Sequence, residues 1–230
     1  MTTNISKHPI VAHKMTELRD KNTKAGEFRR LLREITYHLG FEATSAVPIK
    51  KSIVTTPLDA EYEGSVVSSK IAVVPVLRAG LEMSNAMLDL LPMASVHHIG
   101  MYRSSNALLP IQYYNRLPRN EVCDIAYVLD PCVATSNTLC AVVSILKRWG
   151  AKKVVVLSAI ASEDGVEALH KKHPDTDIYL GAVDKTLSED GMIVPGIGDA
   201  GDRQFSTPVD AEVDPLPDLC SSPTAKRGRK

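Results

Sequence analysis

Cysteine is scarce in this chain: of 230 residues only Cys123, Cys132, Cys140 and Cys220 are cysteines, and no two of them have CxxC spacing. That argues against a disulfide scaffold or a common zinc motif and points to reduced thiols in a cytoplasmic protein. Excess charge is also missing, with 27 Lys+Arg against 27 Asp+Glu and a pI near 7.0. A neutral chain has no general electrostatic pull on nucleic acid or anionic membrane, so neither is expected as a partner. No run approaches the ~18 apolar residues of a membrane helix; Ile71–Leu77 is stopped by Arg78. The start, MTTNISKHPI, has no apolar core behind a basic flank, so it is not read as a secretory signal. The chain as a whole is 44% hydrophobic and 23% charged. The length fits one large domain, or one domain with appendages, able to bury roughly 70% of its unfolded surface.

Within residues 14–40 the second half has helical periodicity. Phe28, Leu31, Leu32, Ile35 and Leu39 fall on one stripe, and Gly40 is placed to close the helix. This reads as an arm for packing or subunit contact, with no chemistry required. From residue 71 onward, short apolar runs alternate with amphipathic stretches. Ile71–Val76, Val96–Tyr102, Ile125–Leu129, Val154–Ile160 and Ile178–Val183 read as strands, with helices expected over 81–91, 138–149 and 164–172. Such alternation implies right-handed crossovers and a mainly parallel sheet, which binds ligands outside the carboxyl ends of its strands. Residues 103–121 read as a long polar connection covering a site. Residues 206–230, rich in proline and ending AKRGRK, read as a disordered tail.

Three loops after these strands could carry chemistry. In YVLDPCVATSNTLCAVV, residues 127–143, a strand ends at Asp130 and a helix begins near Thr138. The N–H groups of a helix start attract anions, Thr135, Ser136 and Thr138 can add hydroxyl donors, and Asp130 can accept from a sugar diol. A strand-to-helix turn capped by Ser or Thr explains the same pattern. In VVPVLRAGLEM, residues 73–83, Arg78 leaves a strand end beside Ala79 and Gly80, which allow close backbone approach. Its guanidinium suits a phosphate or diphosphate, or an ordinary salt bridge. In MIVPGIGDAGDRQF, residues 192–205, Gly196, Gly198 and Gly201 preclude a regular helix or strand and expose backbone groups suited to a flat heterocycle edge. Its Gly-x-Gly-x-x-Gly spacing lacks the strand and apolar helix of a dinucleotide fingerprint. The histidines offer little: His97 and His98, adjacent on a strand, would face opposite ways, and His170 and His173 suit a helix C-terminus.

Taken together, these loops resemble the uracil phosphoribosyltransferases. The likeness runs from HPIVAHKMTELRDKNTKAGEFRRLLREIT through VVPVLRAGLEM, IGMYR, YYNRLP, VLDPCVATSNT and LHKKHPD to IVPGIGDAGDRQF, in the family's order. The resemblance implies a type I phosphoribosyltransferase fold, α/β with a mainly parallel sheet flanked by helices, a small hood and an amino-terminal helical arm. The domain would span residues 1–205, with the arm in 1–40 and the base-pocket loop in 192–205. It further implies transfer of ribose 5-phosphate from phosphoribosyl diphosphate (PRPP) to N1 of uracil, giving UMP and diphosphate, with Mg2+ carried by PRPP and no protein metal site. Asp130, Pro131, Cys132, Val133, Ala134, Thr135, Ser136, Asn137 and Thr138 match the PRPP loop, in which Asp130 takes the ribose hydroxyls and residues 134–138 the 5′-phosphate. Arg78 and Arg103 match the diphosphate side. Ile193, Gly198, Asp199 and Ala200 match the uracil pocket, and Asp199 also matches a PRPP position. Arg78, Asp130 and Asp199 are thereby the catalytic candidates. The family further implies a homo-oligomer, a dimer or larger, and leaves regulation by GTP open.

The chain departs from the family pattern at several places. Ser136 and Ser206 stand where the family has glycine, Glu82 replaces a glycine, Leu109 a glutamate, and Met192 an aromatic residue. If Ser136 needs positive φ, it carries strain on the order of 1 kcal/mol. These departures also admit a second reading, a catalytically impaired homologue that senses PRPP, uracil or UMP or serves as a structural partner.

Overall fold

The computed structural model describes residues 2–103 and 110–207. The chain opens with strand β1 (Thr3–Ile5) and helix α1 (Pro9–Arg19), followed by helix α2 (Ala25–Thr44). His8 caps α1, its Nδ1 accepting from the Ile10 N–H at 3.2 Å, and Pro9 opens the helix where its missing N–H costs nothing. A separate hairpin, β2 (Ile49–Thr55) and β3 (Glu61–Val67), comes next. Then come β4 (Ile71–Leu77), α3 (Leu81–Leu90), β5 (Ser95–Val96), β6 (Ile99–Arg103) and β7 (Pro110–Asn115). The second half holds β8 (Ile125–Leu129), β9 (Cys132–Val133), α4 (Asn137–Trp149), β10 (Lys153–Ser162), α5 (Glu163–Lys172) and β11 (Asp177–Asp184). It closes with β12 (Thr186–Leu187), β13 (Ile193–Val194) and the short helix α6 (Ala200–Phe205).

The main sheet runs β1-β11-β10-β8-β4-β6-β7, with β5 beside β4 and β9 beside β10. Every pair in it is parallel except β6 with β7. The central strands are buried on both faces, as their unbroken apolar runs require. In β4 the alternation divides the core. Ile71 and Val73 pack with α1, α2 and α3, whereas Ala72, Val74 and Val76 pack with α4 and α5. Strand order reverses between β4 and β8, and the crevice at their carboxyl ends is where such a sheet takes a ligand.

Several expectations need correction. Of the two roles expected for the α2 stripe, packing and subunit contact, it serves the first, since it is fully buried in the protein's own core. Gly40 does not end α2, which continues to Thr44; a Cβ there would sit 2.6 Å from Leu90 Cδ1 and 2.8 Å from Met87 Sδ, so this glycine lets α2 approach α3. The run 96–102 is broken at His97 and His98, which connect β5 to β6. The connection 103–121 contains β7, paired antiparallel with β6, because Pro110–Asn115 satisfies its backbone on the sheet edge. The glycine-rich segment 192–205 contains β13 and α6 around a central loop. His173, expected to complement a helix end, is buried with Nε2 3.0 Å from Cys140 O. Residues 104–109, which include Leu109, and residues 208–230, which include Cys220 and nearly all of the expected tail, lie outside the described residues, as does the side chain of Arg103.

Candidate active site

A cavity of about 490 Å³ opens at the carboxyl ends of β4 and β8. It brings together Arg78 and Ala79 after β4, Asp130 after β8, and Cys132, Val133, Ala134, Ser136, Asn137 and Thr138 on the turn into α4. From the other side come Met192, Ile193, Gly198, Asp199 and Ala200. The three candidate loops thus share one space. Pro131 and Thr135 do not line it; Pro131 is buried, and its carbonyl accepts from Ile160 N at 3.0 Å. Sequence reasoning missed Met101, Tyr102 and Tyr113 in the wall: the first two lie on β6, which was read as a strand but not as part of the site, and Tyr113 lies on β7, which was read as loop.

The turn into α4 is held from behind. Ser136 has φ 59°, ψ 2°, the left-handed conformation, and makes no side-chain cap to the helix. Its Oγ donates instead to Gly165 O at 2.5 Å. Ser162 Oγ donates to Ala134 O at 2.7 Å and accepts from Gly165 N at 2.9 Å. The hydroxyl expected to serve a phosphate is therefore spent on the neighbouring helix, while α4 still begins at the cavity with its first N–H groups lacking helical partners. Gly80, as expected, permits close approach: a Cβ there would lie 2.2 Å from Leu129 O.

Arg78 donates from Nη2 to Asp202 Oδ1 at 3.2 Å and from Nη1 to Thr207 Oγ1 at 3.3 Å, with its side chain about half exposed. Asp199 caps α6, its Oδ1 accepting from Asp202 N at 2.9 Å. Both residues thus make the ordinary structural contact while still lining the cavity. Gln204, fully buried, donates from Nε2 to Ala79 O and Ala200 O, both at 2.9 Å, and so ties the Arg78 loop to α6. Among the described residues no group of three or more His, Cys, Asp or Glu is placed to hold a metal ion.

Comparison with known proteins decides the relationship. The family model described as "Uracil phosphoribosyltransferase" matches residues 5–207.

The chain belongs to the uracil phosphoribosyltransferase family.

A protein of that name from Roseiflexus sp. (strain RS-1) is 48% identical over 203 residues, covering 88% of this chain and 97% of the relative. One from Dictyoglomus turgidum is 47% identical over 201 residues, covering 87% and 97%. The solved structure of the AQ2163 protein from Aquifex aeolicus superposes with a TM-score of 0.85 at 31% identity, covering 90% of this chain and all of that one. The mainly parallel sheet with flanking helices is the type I phosphoribosyltransferase fold that the sequence led us to expect.

Within the uracil phosphoribosyltransferase frame, four of the five departures, all but Leu109, fall on described residues. Ser136 and Ser206 both occupy left-handed backbone, at φ 59° and 54°, where a glycine would be unstrained. Glu82 does not line the cavity; it lies in the first turn of α3, where a carboxylate complements the helix dipole. Met192 does line it.

Proposed function

We propose that this protein transfers ribose 5-phosphate from PRPP to N1 of uracil, releasing diphosphate and forming UMP, as a step of pyrimidine salvage. The observation that carries this reading is the convergence of Asp130, the α4 start, Arg78 and the Gly198–Ala200 stretch on one cavity at the switch point of the sheet. Asp130 accepts hydrogen bonds from the ribose hydroxyls. The turn Ala134–Thr138 offers backbone N–H groups and the hydroxyl of Thr138 to the 5′-phosphate. Arg78, together with Arg103, meets the diphosphate, and to do so Arg78 exchanges its carboxylate partner Asp202 for the ligand.

As the C1–O bond breaks, positive charge grows on the ribose and negative charge on diphosphate. A guanidinium fixed on the diphosphate side stabilises the second as it forms. Mg2+ bound to PRPP, when present, adds charge on the same side. Holding base and sugar in line supplies much of the remaining acceleration as positioning. The backbone at Ile193, Gly198, Asp199 and Ala200 offers uracil a fixed N–H and C=O pattern that leaves cytosine's amino group unpaired, a mismatch worth ~10⁴-fold or more. Nothing observed favours the non-catalytic reading.

We further propose a homo-oligomer, supported by large exposed apolar side chains on the β2–β3 hairpin, including Ile53 and Tyr62. Cys123 and Cys140 are free thiols, which fits a reducing cytoplasm, and no helix among the described residues is long and apolar enough to cross a membrane.

UMP formation from uracil, PRPP and Mg2+ tests the reaction. Saturable turnover is expected, with Asp130→Asn lowering kcat/KM by ~10²-fold or more. A folded wild type that is silent at saturating substrates would overturn the reading.

A further inference from the structure

The loop assigned to the base poses a physical problem. Gly196 and Gly198 both have positive φ, at 61° and 71°, and a glycine-rich loop loses more conformational freedom on ordering than any other. A pattern of backbone donors and acceptors discriminates between bases only if it does not move.

The structure shows what holds it. Arg19, the last residue of α1, meets Asp184, the last residue of β11, through two bonds of 2.8 Å each, Nη1 to Oδ2 and Nη2 to Oδ1. Both partners then reach the same peptide neighbourhood. Asp184 Oδ2 accepts from Gly196 N at 2.8 Å, and Arg19 Nη1 donates to Gly196 O at 2.9 Å. The backbone of Gly196 is thus held at both its polar groups. Asp184 is almost fully buried, which raises its pKa, but the Arg19 hydrogen bonds, the Gly196 N–H and the Arg19 charge outweigh burial and keep it below the usual carboxylate range.

A second arginine completes the hold. Arg203 donates from Nη1 to Ile197 O at 2.8 Å and to Leu18 O at 2.7 Å, and from Nη2 to Asp20 O at 2.5 Å. Its guanidinium lies 4.5 Å from the centre of the Phe28 ring, and its Cδ lies 3.4 Å from where a Cβ on Gly198 would stand. The end of α1, the start of α2 and the end of β11 thereby converge on residues 196–198.

We propose that Arg19, Asp184 and Arg203 are positioning residues for base recognition, and that the amino-terminal arm is consequently part of the base site. They touch no substrate atom; they act through the backbone of the loop that does. The inference rests on reading Gly198–Ala200 as the base-binding stretch. It assigns a function to a segment whose sequence required none, because the clamp is spread over elements far apart in the chain.

Steady-state kinetics on the full-length protein tests it, with uracil and PRPP varied separately, PRPP binding measured by calorimetry, and Tm recorded. Asp184→Asn keeps an acceptor for Gly196 but weakens the pairing with Arg19. Arg203→Lys keeps charge and stem but cannot reach all the carbonyls. Each variant is expected to raise the KM for uracil at least tenfold and to lower the uracil-to-cytosine ratio of kcat/KM, while PRPP affinity stays within twofold. Amide exchange at Gly196 should accelerate in Asp184→Asn. A lowered Tm with unchanged KM for uracil, or equal weakening of both substrates, would reduce the clamp to a purely structural feature and overturn the proposal. Should one variant fail to fold, the other decides by the same criteria. Wild type that binds PRPP but does not consume uracil would instead refute the underlying reading of the base loop.

Discussion

At the scale of single residues, Ser136 shows how a side chain can offset the backbone conformation it strains. A serine at φ 59° costs on the order of 1 kcal/mol relative to glycine. Its hydroxyl recovers a comparable amount through the buried bond to Gly165 O, since a net hydrogen bond is worth about 1 kcal/mol. The two neighbouring substitutions should therefore separate. Ser136→Gly removes strain and bond together and should change stability by less than about 1 kcal/mol. Ser136→Ala keeps the strain and loses the bond to Gly165 O, so it should cost about 0.5–1.5 kcal/mol. Chemical denaturation measures both: alanine against wild type reads the bond and alanine against glycine reads the strain, so an alanine variant as stable as wild type would show that the bond contributes nothing. The same comparison bears on catalysis, because the hydroxyl is turned away from the cavity: Ser136→Gly should remain active, with a KM for PRPP within a fewfold of wild type.

At the scale of elements, the turn between β9 and α4 is shaped by the segment behind it, the junction of β10 and α5. Gly165 leaves no room for a side chain: a Cβ would stand 2.1 Å from Ala134 O and 2.8 Å from Val133 O. Gly165→Ala must push the turn toward the cavity. We expect a loss of about 1–3 kcal/mol, a Tm lower by several degrees, and a raised KM for PRPP with little change for uracil. Gly26→Ala, at a helical position with nothing within 4 Å of the added Cβ, is the control and should not lower Tm. What the sequence made legible follows the same division. Elements with strong periodicity were readable: the α2 stripe, α4 up to Gly150, and the buried strands β4, β8, β10 and β11, whose apolar runs have no other use. The loops after β4 and β8 were readable as ligand sites because that position is general to parallel sheets. α1 was missed because only Val11, Met15 and Leu18 mark its buried side, and β7 because an exposed edge strand needs no apolar alternation. The Arg19–Asp184–Gly196 contacts were beyond reach, since nothing local in a sequence announces a bond across 165 positions.

At the scale of the whole molecule, the β2–β3 hairpin is the feature that a single chain does not explain. It is a sheet of two strands, and such a pair is at best marginally stable in water without further packing. Val54, Tyr62 and Val66 share one face by register and are all exposed, Ile49 and Ile53 share the other, and Leu58 at the tip is 89% exposed. Apolar side chains gathered in this way mark an interaction surface, and closed assembly of identical chains is the commonest way to cover one. The α2 stripe, the alternative candidate, is spent inside the chain. Light scattering should therefore give a mass that is a multiple of 25.0 kDa. Replacing Val54 and Tyr62 by aspartate puts charge on one hairpin face and should shift the protein toward the mass of a single chain. The cavity at the ends of β4 and β8 is lined by no hairpin residue, so the dissociated variant should still bind PRPP. A wild type that sediments and scatters as one chain at all concentrations would show that the hairpin is covered by something other than a second copy, or by nothing.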